Sequence, residues 1–195
     1  MTASGLLLII SGPSGVGKTT ITRRVHQQLG GMLSVSVTTR PPTRTDTEGV
    51  DYQFIDEDKF NQMRDGDELL EYAEVFGHAY GTPRKPVLDA ISQGKLMILE
   101  IDVEGAIQIK SNTNGAFAIF VLPPDEQVLL KRLHNRARED ENAIQGRFKK
   151  AKAEMARARS CGIYDAFIIN KDLDQAVDQA IHLVQSRCKT TCTKQ

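Results

Sequence analysis

The chain has 195 residues, enough for one sizeable core, and its 40% hydrophobic and 26% charged content is that of an ordinary globular protein. Lys plus Arg and Asp plus Glu both total 25, so no global positive field argues for a nucleic-acid partner. The longest apolar run is too short to span a bilayer, which argues against a membrane-embedded chain. Three cysteines (Cys161, Cys188 and Cys192), with no export signal in view, read as free thiols in a reducing cytoplasm.

In chain order, Leu6–Ile10 is a short apolar strand and Ile21–Leu29 has helical spacing. Gly30-Gly31 stops that helix, and Leu33–Val37 reads as one short strand. A polar, proline-containing loop follows over 38–50, of a length that marks a functional or disordered segment. Tyr52–Ile55 is a strand, and Asp56 is an N-cap for a helix through Arg64. Leu69–Val75 is a strand, Gly77–Thr82 reads as a turn, and Pro83 opens a helix to about Gln93. Leu96–Ile101 and Ala116–Leu122 are near-continuous apolar runs, the pattern of strands buried on both faces. Helices follow each, over 103–110 and from Asp125 to about Asn135. Arg136–Asn142 is a charge-dense hinge before a long helix to Ser160. Phe167–Ile169 is a last strand, Leu173–Arg187 a closing helix, and the polar tail beyond reads as frayed. Strands alternating with helices predict an α/β domain with a mainly parallel sheet.

Between the first strand and first helix lies Gly12–Thr20, GPSGVGKTT, which fits G-x-x-x-x-G-K-[ST] through Thr19. Such a loop curls its backbone N–H groups around phosphate oxygens, and the helix behind it adds the positive end of its dipole. Lys18 is then spaced to reach the β- and γ-phosphates and the Thr19 hydroxyl to hold Mg2+. The motif in this strand–turn–helix setting predicts a nucleoside triphosphate site. Glu100 closes an apolar strand where a Walker-B acid would stand near the metal, acting through water, and Asp102 faces the same way two residues on. Arginines gather in the 38–50 loop (Arg40, Arg44) and around the hinge (Arg132, Arg136, Arg138, Arg147). Two clusters flanking a phosphate loop suggest one for a second phosphate-bearing substrate and one for transition-state charge.

SVSVTTRPP, EGVDYQF, LLEYAEVFGHAYGT, LEIDVEG and the RLHNRAREDENAIQGR segment occur together and in order, and from about Leu6 to Ile181 the chain resembles guanylate kinase, the family that phosphorylates GMP from ATP. The resemblance implies a P-loop NTPase-type parallel sheet flanked by helices, with a mixed α+β GMP-binding insertion and a small helical lid. Within a single domain 1–195, it implies a core of 1–33, 94–135 and 148–195, an insertion at about 34–93 and a lid at about 136–147. It makes Gly12, Pro13, Ser14, Gly15, Val16, Gly17, Lys18, Thr19 and Thr20 the ATP-phosphate loop, with Arg132 as a neighbouring phosphate contact and Asn170 near the adenine. Ser36, Arg40, Tyr52 and Tyr80 match residues that hold the GMP phosphate, and Glu71, Thr82 and Asp102 those that read guanine. Guanine offers N1–H and an amino group to the two carboxylates and O6 to the Thr82 hydroxyl, whereas adenine would leave buried acids unpaired. Lys18 with the lid arginines Arg136 and Arg147 is implied as the catalytic charge set, with Mg2+ as cofactor, ATP and GMP (and dGMP) as substrates, and the cytoplasm as location.

The chain departs from the family pattern in four places. Arg44 follows Arg40 one residue later than in the frequent R-x-P-R, Glu100 replaces the usual aspartate, Asn135-Arg136-Ala137 replaces a common G-R-G, and Lys171 replaces an acid. Asn170-Lys171-Asp172 resembles the N-K-x-D of GTPases by chance, since Leu173 stands where its acid would. Two other readings are compatible with a phosphate loop: a non-catalytic guanylate-kinase-like module that binds phosphoproteins, and a P-loop kinase of another small phosphorylated substrate. The intact loop with Lys18 argues against the first, and Glu71, Thr82 and Asp102 against the second.

Overall fold

β1 (Leu6–Ser11) is the central strand of a five-stranded sheet, and its side chains alternate between two cores. Leu8 and Ile10 bury against Ile21 and Val25 of α1 (Lys18–Leu29) and Val177 of α7 (Leu173–Thr193). Leu7 and Ile9 bury on the other face against Val87 of α3 (Arg84–Ser92) and Ala106 of α4 (Val103–Asn112). Each such side chain removes enough apolar surface to contribute roughly 2 kcal/mol, which is why the strand is apolar throughout rather than alternating with polar residues. β7 (Leu96–Glu100) and β8 (Phe117–Leu122) flank β1, and β2 (Met32–Leu33) and β9 (Ala166–Ile169) form the edges, all in parallel register. A third cluster joins Phe120 of β8 to Leu129 and Leu133 of α5 (Glu126–Arg136) and to Ile144 and Met155 of α6 (Glu141–Ser160). The computed structural model describes residues 5–75, 77–136 and 141–193, without the side chains of residues 136 and 190–193.

A second, four-stranded sheet is built between residues 36 and 83. Its order is β4 (Tyr52–Phe54), β3 (Ser36–Thr38), β6 (His78–Pro83), β5 (Leu69–Val75). α2 (Glu57–Asp65), capped by the Asp56 side chain on Lys59 N–H, covers one face with Phe60 and Met63 against Val37 and Leu69. α3 packs instead on β1 and β7, so by packing it belongs with the large sheet.

Three elements differ from the sequence reading. Leu33–Val37 is not one strand: β2 ends at Leu33 in the large sheet, Ser34 N–H bonds Ile98 O, and β3 begins at Ser36 in the small one. The supposed turn at Gly77–Thr82 is strand β6, paired antiparallel with β5. Gly77, at φ 78°, lies in the reversal between the two strands. Gly81 lies inside the strand because a Cβ there would stand 2.9 Å from Leu69 Cδ1. The closing helix continues past Arg187 to Thr193.

The 38–50 segment, read as a functional or disordered loop, is a loop over 39–51 in the structure and is ordered by carboxylates. Asp46 Oδ2 accepts from Arg40 at 2.9 Å and from Thr43 N–H at 2.6 Å, and Asp51 Oδ2 accepts from Thr47 N–H at 2.9 Å. Because the loop is exposed and carries little of the core, Asp46→Ala should leave the thermal midpoint within about 3 °C of the parent and speed amide exchange across residues 39–51. Unchanged exchange there would show that Asp46 does not order the loop.

Candidate active site

The two sheets face each other across a cleft of about 630 Å³, within the range of a ligand site. Its first wall is the turn after β1. Gly17, at φ 98°, is the N-cap of α1, a left-handed conformation that other residues adopt only at a cost. Lys18 Nζ lies over this turn, 2.6 Å from Gly12 O and 3.2 Å from Pro13 O. The Thr19 hydroxyl donates to Glu100 Oε1 at 2.7 Å, joining the start of α1 to the end of β7. Its proton is thus committed and its lone pairs remain for an electrophile. From across the cleft Arg147 of α6 reaches the same turn, donating to Ser14 Oγ at 2.7 Å.

The far end of the cleft is a buried acid. Glu71 on β5 is 5% exposed and Thr82 on β6 fully buried. Leu69 opposes Pro83 whereas Glu71 opposes Thr82, so one extra residue on β5 shifts the register and sets carboxylate and hydroxyl face to face. Thr82 Oγ1 donates to Glu71 Oε1 at 2.6 Å. Burial pushes the Glu71 carboxyl up to about 7, with the Thr82 hydrogen bond working against the rise and the nearby Asp102 adding to it. Asp102 caps α4, its Oδ1 accepting from Gly105 N–H at 2.9 Å, and it also lines the cleft. Between the two ends stand Ser36, Tyr52 and Tyr80, the two tyrosine rings in edge contact at 5.7 Å. The Arg40 guanidinium lies over the Tyr52 ring, 5.4 Å from its centroid.

A phosphate-binding turn and a pair of carboxylates, Glu71 buried and Asp102 half-buried, in one cleft narrow the family, and comparison decides it. Residues 4–187 match the family described as guanylate kinase. The chain belongs to the guanylate kinase family. It is 46% identical to a guanylate kinase of Agrobacterium fabrum, over 89% of this chain and 79% of that one. With that of Thermosynechococcus vestitus it shares 44%, over 89% and 90%. A crystal structure of guanylate kinase from Anaplasma phagocytophilum is 31% identical and matches the fold with a TM-score of 0.78, covering 95% of this chain and 87% of that one.

Most residues that the guanylate kinase resemblance singled out meet in this cleft, but Val16, Thr20, Arg40, Arg44, Thr82, Arg132 and Asn170 are not among its lining residues. Thr82 gives its single proton to Glu71, so in this geometry it holds the acid rather than donating to a base. Asn170 is 4% exposed beneath the turn, where its amide donates to Val16 O at 2.8 Å and so latches the turn. Arg132 donates to Asn170 O at 3.0 Å and supports the same latch. Arg44 is exposed on the loop. The Arg136 side chain lies outside the described residues, as does Arg138. Sequence reasoning missed Lys150 and Glu154, which line the cleft from α6. The signal was present, since Arg147, Lys150, Ala151 and Glu154 follow the i, i+3, i+4, i+7 spacing of one helix face.

Asn170 gives the turn a buried hydrogen bond that nothing else replaces. Asn170→Ala should strand Val16 O, lower the unfolding free energy by about 1–3 kcal/mol in urea titration, and speed amide exchange at 12–18. An unchanged urea midpoint would show that the latch contributes nothing.

Proposed function

We infer that this protein is an ATP-dependent phosphotransferase that moves the γ-phosphate of ATP to GMP, giving ADP and GDP, with dGMP as a second acceptor. The observation that carries the reading is a single cleft lined at one end by Lys18 and Thr19 and at the other by Glu71 and Asp102. That arrangement suits two nucleotides bound phosphate to phosphate, the donor on the turn and the acceptor base on the acids.

In this reading the residues act by position and charge, and no covalent intermediate with the protein is needed. Backbone N–H groups of 14–18 and the α1 dipole would bind the donor phosphates. Lys18 and Arg147 would stabilise charge on the transferring group while a GMP phosphate oxygen attacks in line. Arg136 would join them on closure of the 136–147 lid, which would exclude water and suppress hydrolysis. Ser36, Tyr52, Tyr80 and Arg40 would hold the GMP phosphate, with Arg44 a lesser contributor. Glu71 would accept from guanine N1–H, and the Asp102 oxygen not engaged by the helix cap would accept from the amino group. Thr82 fits a supporting part, holding the Glu71 carboxylate in place.

The oxygen donors Thr19 Oγ1 and Glu100 Oε1, 2.7 Å apart, suit Mg2+, with Thr19 a direct ligand and Glu100 acting through water. Among the described residues no group of three or more His, Cys, Asp or Glu could form a protein-only metal site, which fits an ion held largely by phosphate oxygens. When bound, Mg2+ would neutralise charge on the β- and γ-phosphates. No helix among the described residues is long and apolar enough to cross a membrane. We place the activity in the cytoplasm, in purine nucleotide metabolism, with ATP and GMP as the partners.

ADP release measured with GMP, dGMP, AMP, CMP and UMP as acceptors should be fastest with GMP and dGMP. Faster turnover of AMP or CMP would refute the assignment of the acid pair to guanine. The raised Glu71 pKa gives a second expectation. Its folded value lies above the ordinary carboxylate value, so the acid is protonated and a poor acceptor below about pH 7. KM for GMP should therefore fall about tenfold from pH 6 to pH 8, following the ionised fraction. Glu71→Gln removes the titration, and a pH profile unaltered by it would assign the dependence to another group. For the empty protein the sign is reversed. Between the ordinary carboxylate value and about pH 7 the unfolded chain has released this proton and the folded chain has not, so stability falls across that window and levels off above it, and Glu71→Gln should raise the melting temperature most above pH 7.

A further inference from the structure

α4 carries a glycine where helix energetics favour alanine. Gly105 lies in the first turn of α4 with an ordinary helical backbone, not the left-handed one that would require glycine. Alanine in a helix interior is more favourable than glycine by up to about 1 kcal/mol. Neither turn chemistry nor backbone strain accounts for the residue. Packing does: a Cβ at Gly105 would stand 2.5 Å from Glu71 Oε2, 3.0 Å from Glu71 Cδ and 3.4 Å from Glu71 Cγ. The missing methyl group is the space that the Glu71 carboxylate occupies.

The same residue serves the second acid through its backbone, since Gly105 N–H is the donor to Asp102 Oδ1. One turn further, at i+3 on the same helix face, Gln108 grips β5 beside Glu71. Its amide accepts from Tyr72 N–H at 3.1 Å and donates to Tyr72 O at 2.8 Å. The face of α4 that meets β5 thus has three devices: a cap that orients one acid, a gap that admits the other, and a clamp that holds the strand between.

We propose that Gly105 is a specificity-determining positioning residue, which holds Glu71 and Asp102 in the one arrangement where both carboxylates meet the donor edge of the acceptor base. The proposal rests on the reading of Glu71 as a guanine acceptor. A methyl group at this position moves the Glu71 carboxylate out of its seat by roughly the deficit in van der Waals distance, on the order of 1 Å. Displacement of that size in a buried hydrogen-bonding site costs discrimination and acceptor affinity rather than the chemistry at the far end of the cleft. Lys18, Thr19 and Arg147 are held by other groups, Lys18 by Gly12 O, Thr19 by Glu100 and Arg147 by Ser14.

The test compares four proteins: the parent, Gly105→Ala, Glu71→Ala, and the two substitutions together. Steady-state KM for GMP and for ATP, the GMP-to-AMP ratio of kcat/KM and the melting temperature are measured for each. Gly105→Ala should raise KM for GMP about tenfold and lower the GMP-to-AMP ratio, with KM for ATP within about twofold of the parent. In the Glu71→Ala background the same substitution should change none of the kinetic values and leave the melting temperature equal or higher, because the group it displaces is gone and alanine suits the helix. Should Gly105→Ala alone fail to fold while the double variant melts with Glu71→Ala, the clash with Glu71 is again the cause. Unchanged KM for GMP in Gly105→Ala, an equal rise in both KM values, or a full additional loss in the Glu71→Ala background would overturn the proposal. A Glu71→Ala variant that keeps the parent's KM for GMP and its GMP-to-AMP ratio would instead overturn the guanine reading beneath it.

Discussion

The turn between β1 and α1 is clamped from two sides, and the rest of the site is arranged against it. A Cβ on Gly12 would stand 2.5 Å from Val121 O of β8, and one on Gly17 would stand 2.7 Å from Asn170 Nδ2. The glycines therefore serve two ends at once: they permit the curl, and they let the backbone lie directly on the C-terminal edge of the sheet. With Val16 fully buried and its carbonyl held by Asn170, the turn is part of the core rather than a loop above it. A site for a highly charged ligand needs that rigidity, because donors that must reorganise on binding lose much of their electrostatic effect.

The opposite end of the cleft is assembled differently. Glu71 comes from the small sheet and Asp102 from the junction of β7 and α4, so the acid pair exists only if the sheets are held in register with each other. The Gln108 clamp on β5, the Arg84 side chain of α3 on Leu69 O at 3.0 Å, and the Arg23–Asp51 ion pair at 2.9 Å, between α1 and the 39–51 loop, are among the polar ties. The ion pair is exposed and contributes little to stability; the clamp binds backbone groups next to Glu71 and has the greater structural consequence. Keeping an acid buried with Thr82 for its hydrogen-bond partner and Asp102 nearby is unfavourable in the empty protein, in line with the raised Glu71 pKa. Such a cost is offset only by a ligand that brings donors of its own, which makes the pocket selective by penalty as much as by attraction.

The core strands were legible because parallel strands covered on both faces must be apolar throughout, as Leu6–Ile10 and Phe117–Leu122 are. The phosphate turn was legible because its chemistry is local: nine consecutive residues contain the curl, the ammonium and the hydroxyl. β6 was not, because two glycines and a histidine obscure a strand whose pairing is dictated by residues on β5. The break between β2 and β3 was hidden for a related reason, since Leu33–Val37 has unbroken strand propensity and only the geometry of two sheets divides it. Propensity is local, and these were tertiary decisions. Roles that the resemblance implied for Thr82, Asn170 and Arg132 depend on which way a polar atom faces, and that is set by the β5–β6 register and by the buried carbonyl of Val16.

α6 joins these levels in one element. Its outer turns bury Ile144, Ala151, Met155 and Ala158 against β8 and α5, while the intervening face turns Arg147, Lys150 and Glu154 into the cleft. Burial raises the Glu154 carboxyl pKa, and the ammonium groups of Lys18 and Lys150 hold it down, so the acid serves as a counter-charge for the cations of the phosphate end. Lys150 lies 3.9 Å from it, at the limit of an ion pair. A phosphate entering the cleft brings more negative charge than one carboxylate and competes for the same cations. The helix that carries Arg147 to Ser14 thus brings both cations and a counter-charge to the cleft. Its apolar face fixes where it can lie, and its charged face lines the cleft.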